Sequence, residues 1–234
     1  MQLHLYSAEY LCQFEPRYLS LLIDQLPKHI QEKALRYHRW QDVYGFVIGK
    51  HLLRIALKQM QFSDDLNGLQ YTLNHKPFLL DGPYFNISHS GNRVVCLISQ
   101  EKNVGIDIEY INKEFQPDDF KTQFTLSEWS AIRSSQDPTK KFYEFWTAKE
   151  SIVKADGRGL TIPLDLIEIN ERQTAQLDGK VWNFFPLSYF AGYACHFAIE
   201  DIKAENAGLV ETGPMNVDIV FFEVTPADII SMSD

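Results

Sequence analysis

Two stretches of this chain could gather charge at one point. In VGIDIE, Val104 to Glu109, apolar and acidic residues alternate, so a strand would send Ile106 and Ile108 to one side and Asp107 and Glu109 to the other. The two acidic Cα atoms would stand roughly 6.6 Å apart at about 3.3 Å per residue. Carboxylates at that spacing repel by about 2.5 kcal/mol at an effective dielectric of ~20, which a solvated face tolerates and a cleft relieves with a cation. In FWTAKESIVKADGRGL, Phe145 to Leu160, the residues Trp146, Glu150 and Lys154 fall four apart and share one helix face. Packed over the strand, such a helix would add Glu150 as a third carboxylate. An all-oxygen set of this kind suits magnesium better than zinc.

The helix has start and stop signals. Asp137 offers a side-chain cap and Pro138 a proline at the first helical position, while Phe142, Phe145, Ala148 and Ile152 recur as a buried stripe. Gly157, Gly159 and Pro163 end it. Earlier in the chain, Gln2 to Tyr6 reads as a strand and Arg17 to Leu26 as a short helix. Lys28 to Met60 reads as a long helical region bent near Arg39 to Asp42. Strand-like runs follow: LQYTLN, FLL, FNISHS, RVVCLIS and VGIDIEYI. Ile111 to Phe124 is expected to be a loop, and Thr125 with Glu128 forms a capping-box pattern. After the central helix, LIEIN, KVWNFF, YACHFAI and DIVFFEV read as strands, Lys203 to Asn216 as a loop and residues 228–234 as a loose tail. Helices then strands, twice, predict an α+β fold of two halves meeting near Val104.

Composition narrows the function classes. The 234 residues have a formal net charge of -9, which argues against a general affinity for nucleic acid or anionic lipid, since both begin with phosphate neutralisation. No apolar run reaches the ~18 residues of a membrane span, and the N-terminus lacks a basic-then-apolar leader. Cys12, Cys96 and Cys195 are odd in number and scattered, so they read as buried or free thiols of a reducing compartment, placing the protein in the cytoplasm.

Three further patterns matter. FNISHSG, Phe85 to Gly91, puts Phe85, Ile87 and His89 on one strand face and Asn86 and Ser88 on the other. A lone histidine there is more often structural, but the flanking serines make an anion contact plausible. Lys76-Pro77 is a positive charge on restricted backbone. Lys33, Arg36, His38 and Arg39 form either a solvated helix face or a phosphate-binding surface.

Through NISHSG, VGIDIE and WTAKESIVKADGRGL, in that order, the chain resembles the 4′-phosphopantetheinyl transferases of the surfactin-synthetase-activating type, with weaker similarity from about Lys33 to Leu164. The resemblance implies transfer of the phosphopantetheine arm of coenzyme A to a serine of an apo acyl or peptidyl carrier protein, releasing adenosine 3′,5′-bisphosphate. It implies two similar α/β halves in a pseudo-twofold monomer with the active site at their interface: residues 1–103 for coenzyme A contacts, residues 104–234 for the metal-binding strand and helix. By position, Asp107, Glu109 and Glu150 would bind Mg²⁺. Glu150 and Lys154 would act in catalysis, and Lys33, Arg36, Lys76, Pro77, Ser88 and His89 would contact coenzyme A. Gly45 departs from the pattern, standing where many members have an arginine that contacts coenzyme A; Arg36 or Arg39 could substitute. Lys121, Arg133, Lys140, Lys141 and Arg158 are candidate docking charges for an acidic carrier. Two other classes share the ingredients: a metal-dependent phosphohydrolase, and a non-catalytic binder of coenzyme A or carrier protein.

Overall fold

The computed structural model describes residues 1–10, 16–170, 172–201 and 216–231. Cys12 and nearly all of the expected loop Lys203 to Asn216 lie outside them. The first half contains β1 (Gln2–Glu9), α1 (Pro16–Asp24), α2 (Lys28–Ala34), α3 (Trp40–Gln59), β2 (Leu69–Tyr71), β3 (Pro77–Leu79), β4 (Tyr84–Ser90) and β5 (Arg93–Ser99). The second contains β6 (Val104–Tyr110), α4 (Leu126–Ser134), α5 (Pro138–Asp156), β7 (Glu168–Ile169), β8 (Thr174–Leu177), β9 (Lys180–Pro186), β10 (Tyr193–Glu200), β11 (Asp218–Glu223) and α6 (Pro226–Ser231). Mixed helix and sheet make this an α+β protein.

Strand alternation builds four layers. The sheet β11-β1-β5-β4 and the sheet β6-β10-β9-β8-β7 meet through an apolar seam of Leu3, Leu5, Val95 and Leu97 against Val104, Ile106, Ile108 and Phe197. The opposite faces are covered by helices. Tyr6, Cys96 and Ile98 pack under α3, while Trp182, Phe184 and Ala198 pack under α5.

The pairing departs from simple halves at β11, which runs parallel to β1 in the first sheet, Leu3 opposite Ile219. Arg93 helps hold this return, donating to Ser7 Oγ and Glu223 at 2.9 Å each. The expected loose tail is also ordered as far as Ser231. There Thr225 and Asp228 cap each other's backbone N–H groups, and Ile229 is buried in the α3 core. A four-residue strand, β8, was missing from the sequence reading because TAQL, though it alternates, offers only Ala175 and Leu177 as apolar signal. Ile111 to Phe124 is not all loop: Pro117–Gln123 forms a 3₁₀ turn.

Local signals for α5 hold at both ends. Asp137 Oδ1 accepts from Lys140 N at 2.9 Å, and Gly157 closes the helix at φ 91°. Phe145 is only half-buried; the buried surface runs instead through Phe142, Thr147, Ala148, Ser151, Ile152 and Ala155.

Gly105 sets the separation of β6 and α5. A Cβ there would lie 2.0 Å from Ser151 O and 2.3 Å from Ala155 N, and both are backbone atoms of a rigid helix. Gly105→Ala is therefore expected to cost about 3 kcal/mol or more in urea unfolding, at the upper end of core overpacking. A midpoint equal to that of the unsubstituted protein would show that β6 and α5 can move apart.

A buried imidazole gives an acid-side prediction. His51 Nε2 bonds Leu22 O at 2.9 Å while its Nδ1 is buried without a partner, and burial lowers the pKa to about 4. The native state thus binds fewer protons than the unfolded chain between the unfolded value and about 4, so His51 contributes stability above pH ~6.5 that is lost as pH falls through 4. His51→Gln keeps a donor for Leu22 but cannot titrate. The difference in unfolding free energy between pH 7 and pH 4 is expected to shrink in it by roughly 3 kcal/mol. An unchanged difference would mean the imidazole is not held neutral.

Candidate active site

The site lies where the edge strands of the two sheets meet. Such edges leave every second N–H without a ladder partner. Here Asn86, Ser88 and Ser90, alternate residues of β4, accept from the backbone N–H groups of Ile106, Ile108 and Tyr110 at 2.9, 3.3 and 3.1 Å. Side chains of one half thus stand in for the next strand of the other. The sequence reading missed this role, although the spacing of Asn86, Ser88 and Ser90 carries it.

The same seam holds the acids. Ser88 Oγ donates to Asp107 Oδ1 at 3.0 Å, and Ser90 Oγ donates to Glu109 Oε2 at 2.6 Å. From α5, Lys154 Nζ donates to Asp107 Oδ1 at 2.6 Å and to Ser88 Oγ at 2.9 Å. One residue from each of the three motifs meets in this cluster. Asp107 is 3% exposed, and its second oxygen, Oδ2, is buried without a hydrogen-bond partner.

The electrostatics follow from burial and crowding. Burial, then the charge of Asp107, pushes Glu109 up to about 7. Burial and Asp107 raise Glu150 as well. Burial works against the Lys154 ammonium, but Asp107, Glu150 and Glu109 outweigh it and hold its pKa above the ordinary lysine value. Three carboxylates against one lysine leave excess negative charge, which a cation would relieve. Among the described residues, however, no three Asp, Glu, His or Cys side chains form a ready-made cation cage. Lys154 and Ser88 take Asp107 Oδ1, and Ser90 takes Glu109 Oε2. The open oxygen Asp107 Oδ2, beside two carboxylates strained by its charge, fits a hard divalent ion.

Beside the cluster, Glu150, Lys154, Lys76 and Pro77 line a cavity of ≈ 300 Å³ with Asn74, His75 and Asn86. Lys76 Nζ is turned to the end of α5, donating to Ala155 O at 2.7 Å and Asn103 Oδ1 at 2.6 Å, and burial lowers its pKa to about 8. It satisfies one of the terminal helix carbonyls. His89 points the other way along β4, toward α3. Lys33 stands half-buried over the Tyr71 ring, 4.0 Å from its centroid, and Arg36 is exposed just beyond α2. Lys33 and Arg36 do not line this cavity. Of the docking charges, Arg158 is bonded to Asp156 at 2.6 Å and Asp178 at 2.7 Å, and Lys141 to Glu144 at 3.1 Å.

Behind the site, Lys149 and Glu128 form a fully buried ion pair at 2.6 Å that the sequence reading did not anticipate. Glu128 was recognised only as a capping residue, a role it keeps through Thr125 N at 2.9 Å.

Comparison with known proteins places this chain in a family. A family model described as the 4′-phosphopantetheinyl transferase superfamily matches residues 103–198, which span β6 and α5. The 4′-phosphopantetheinyl transferase gsp of Aneurinibacillus migulanus is 33% identical over 184 residues, covering 75% of this chain and 77% of the relative. The 4′-phosphopantetheinyl transferase Sfp of Bacillus subtilis (strain 168) is 31% identical over 153 residues, 63% of this chain and 67% of the relative. HetI of Nostoc sp. is 36% identical over 153 residues, with 58% and 61% covered. With the strand acids, the helix lysine and the serine seam in one place, and with a relative of this identity matched over three quarters of the chain, the protein belongs to the 4′-phosphopantetheinyl transferases.

Proposed function

We propose that this transferase moves the phosphopantetheine arm of coenzyme A to a serine of an apo acyl or peptidyl carrier protein, with Mg²⁺ held by Asp107, Glu109 and Glu150. The observation that carries the proposal is the buried, partnerless Asp107 Oδ2 beside Lys154 and Ser88. When bound, the ion would offset pyrophosphate charge that otherwise repels a nucleophile.

The chain's own residues supply the rest. Glu150 lines the cavity and accepts the proton as the carrier serine oxygen attacks the phosphorus that bears the pantetheine arm. The new P–O bond forms as the bridging P–O bond breaks, and adenosine 3′,5′-bisphosphate leaves with the bond's electrons. Lys154, held protonated by its acidic neighbours, offsets the negative charge on the leaving group. Lys76 and Pro77 bound the cavity at the α5 end, Ser88 orients Asp107 and Lys154, and His89 contacts a phosphate. Lys33 and Arg36 serve the nucleotide end of coenzyme A from the α2 side.

The division into halves 1–103 and 104–234, related by a pseudo-twofold axis in a monomer, is supported by one helix-covered sheet in each, with β11 returning to the first. A cytoplasmic setting is supported by the free, buried thiols of Cys96 and Cys195. Among the described residues, no helix is long and apolar enough to cross a membrane.

The test is the intact mass of a panel of apo carrier proteins after incubation with this protein, coenzyme A and Mg²⁺. A phosphopantetheine-sized gain on one carrier, absent with chelator, is the expected result. Release of free phosphate without any gain would replace transfer by phosphohydrolysis, and coenzyme A binding without turnover on any carrier would favour the binder.

A further inference from the structure

His196, on β10, lies under α5 at 7% exposure and has no task in the proposed transfer. Its ring is fixed at one end. Nδ1 lies 2.7 Å from Thr147 Oγ1, and that oxygen lies 2.8 Å from Tyr143 O, one turn back along α5. A carbonyl oxygen only accepts, so the threonine hydroxyl gives its single hydrogen to Tyr143 O and accepts from His196 Nδ1–H. Burial, helped by the nearby Lys141 ammonium, lowers the pKa to about 4, which keeps the ring neutral and Nε2 a bare acceptor. Among the described residues no hydrogen bond reaches Nε2. An acceptor so deeply placed calls for a donor.

The ring borders two cavities, of ≈ 490 and ≈ 710 Å³, which also share Glu144 and Pro186. Asp107, Glu109, Glu150 and Lys154 line neither of them. The smaller one has the size and the walls of a small-molecule site. Phe145 and Ala148 of α5, Ile169 of β7 and Phe184 of β9 line it, and the Phe184 ring stands 6.0 Å from the imidazole at 57°. Its two charges cancel, because Lys141 Nζ donates to Glu144 Oε2 at 3.1 Å. Aromatic walls, no net charge and one buried acceptor select a neutral ligand with a ring and a donor.

We infer that the smaller cavity is a binding site for a neutral aryl molecule, whose single N–H or O–H donates to His196 Nε2 while its ring lies against Phe145 and Phe184. The inference does not draw on the transfer reaction, since no residue proposed for the ion, for catalysis or for coenzyme A lines this cavity.

Indole and 1-methylindole are the probes, one ring system with and without a donor. The Kd of each is measured by titration of the unsubstituted protein and of His196→Leu, which keeps an apolar side chain and removes the acceptor. Indole is expected to bind the unsubstituted protein about fivefold more tightly than the variant, the worth of one neutral hydrogen bond. 1-Methylindole should bind the two within about twofold. Ring-nitrogen NMR supplies a readout that needs no variant. Of the two imidazoles that burial lowers to about 4, His51 carries its hydrogen on Nε2 for Leu22 O, so the ring with its hydrogen on Nδ1 is His196. Indole should shift the Nε2 resonance of that ring upfield, as a hydrogen bond to a bare ring nitrogen does, and 1-methylindole should not.

Equal loss of both probes in His196→Leu, or equal binding of indole by both proteins, would overturn the inference. Indole that binds without moving Nε2 would do the same. Absence of indole binding at millimolar concentration would leave the cavity to water and also overturn it. If His196→Leu does not fold, the NMR titration of the unsubstituted protein decides alone.

Discussion

Asp107→Ala is expected to lower phosphopantetheine transfer at least about a thousandfold while the protein stays folded. The side chain has three tasks at once. Oδ1 accepts from Lys154 at 2.6 Å and from Ser88 at 3.0 Å, so its loss frees the lysine and the seam serine together. Oδ2 is the buried acceptor without a partner, the atom proposed to face the cation. Removing an acid that also raises Glu109 and Glu150 would change the protonation of both remaining carboxylates. Glu150→Gln is narrower, because it preserves shape and leaves Asp107, Lys154 and Ser88 bonded, while it removes the proton acceptor together with one carboxylate charge of the proposed ion site. General-base contributions of 10² to 10⁴ set its expected loss at about the same order. Single-turnover mass analysis of the carrier at saturating Mg²⁺, with circular dichroism to confirm folding, measures both. Near-normal turnover of Asp107→Ala would dismiss the seam cluster as the active centre, and near-normal turnover of Glu150→Gln would dismiss the base.

The largest expected loss of stability lies at Glu128→Gln, behind the site. Lys149 is 0% exposed at the side chain and Glu128 4%, with the pair closed at 2.6 Å. Lys149 also donates to Leu164 O at 2.9 Å, while Glu128 accepts from Thr125 N at 2.9 Å and Ile169 N at 3.3 Å. The pair therefore ties α4, α5 and the chain leading to β7. Burial lowers the Lys149 pKa even though Glu128 pushes the other way, so the ammonium is held at a desolvation cost. Such a pair adds little over an apolar one, but breaking it strands a charge. Glu128→Gln is expected to cost about 3–5 kcal/mol in urea unfolding, and Lys149→Met a comparable amount. The double variant should recover much of the loss, because no buried charge remains. Simple addition of the two losses would show that packing rather than charge is at stake. Lys149 precedes Glu150, so the same pair also fixes the rotation of α5 that turns Glu150 into the cleft.

The acidic cluster proposed as the active centre was legible in sequence because its parts are local. Alternation in VGIDIE put Asp107 and Glu109 on the face opposite Ile106 and Ile108, as found. Asp137, Pro138 and Gly157 bounded α5 by capping chemistry alone. Four-residue spacing brought Glu150 and Lys154 to the same cavity. Harder to read were residues whose role depends on a distant partner. The bonds that Ser88 makes between β4, β6 and α5 could not be read from its strand alone. Nor could the bond from Lys76 to the end of α5. Gly45 stood out only as a departure from the resembled family's arginine, and it lies against His89.

What the sequence determined by itself was periodicity and termination: which residues form the helices of the site and most strands, which side of β6 is acidic, and which motifs supply charge. These depend on neighbours within a few residues, where propensity and capping act. Tertiary structure alone decided the parallel return of β11 to β1, the docking of Ile229 on the α3 core, the burial of Lys149 with Glu128 and the stitching of two sheet edges by Asn86, Ser88 and Ser90. Each joins residues far apart in the chain, and each is fixed by demands that arise only on packing. An edge strand needs acceptors for its N–H groups, a buried ammonium needs a carboxylate, and β6 can reach α5 only where Gly105 leaves out a side chain.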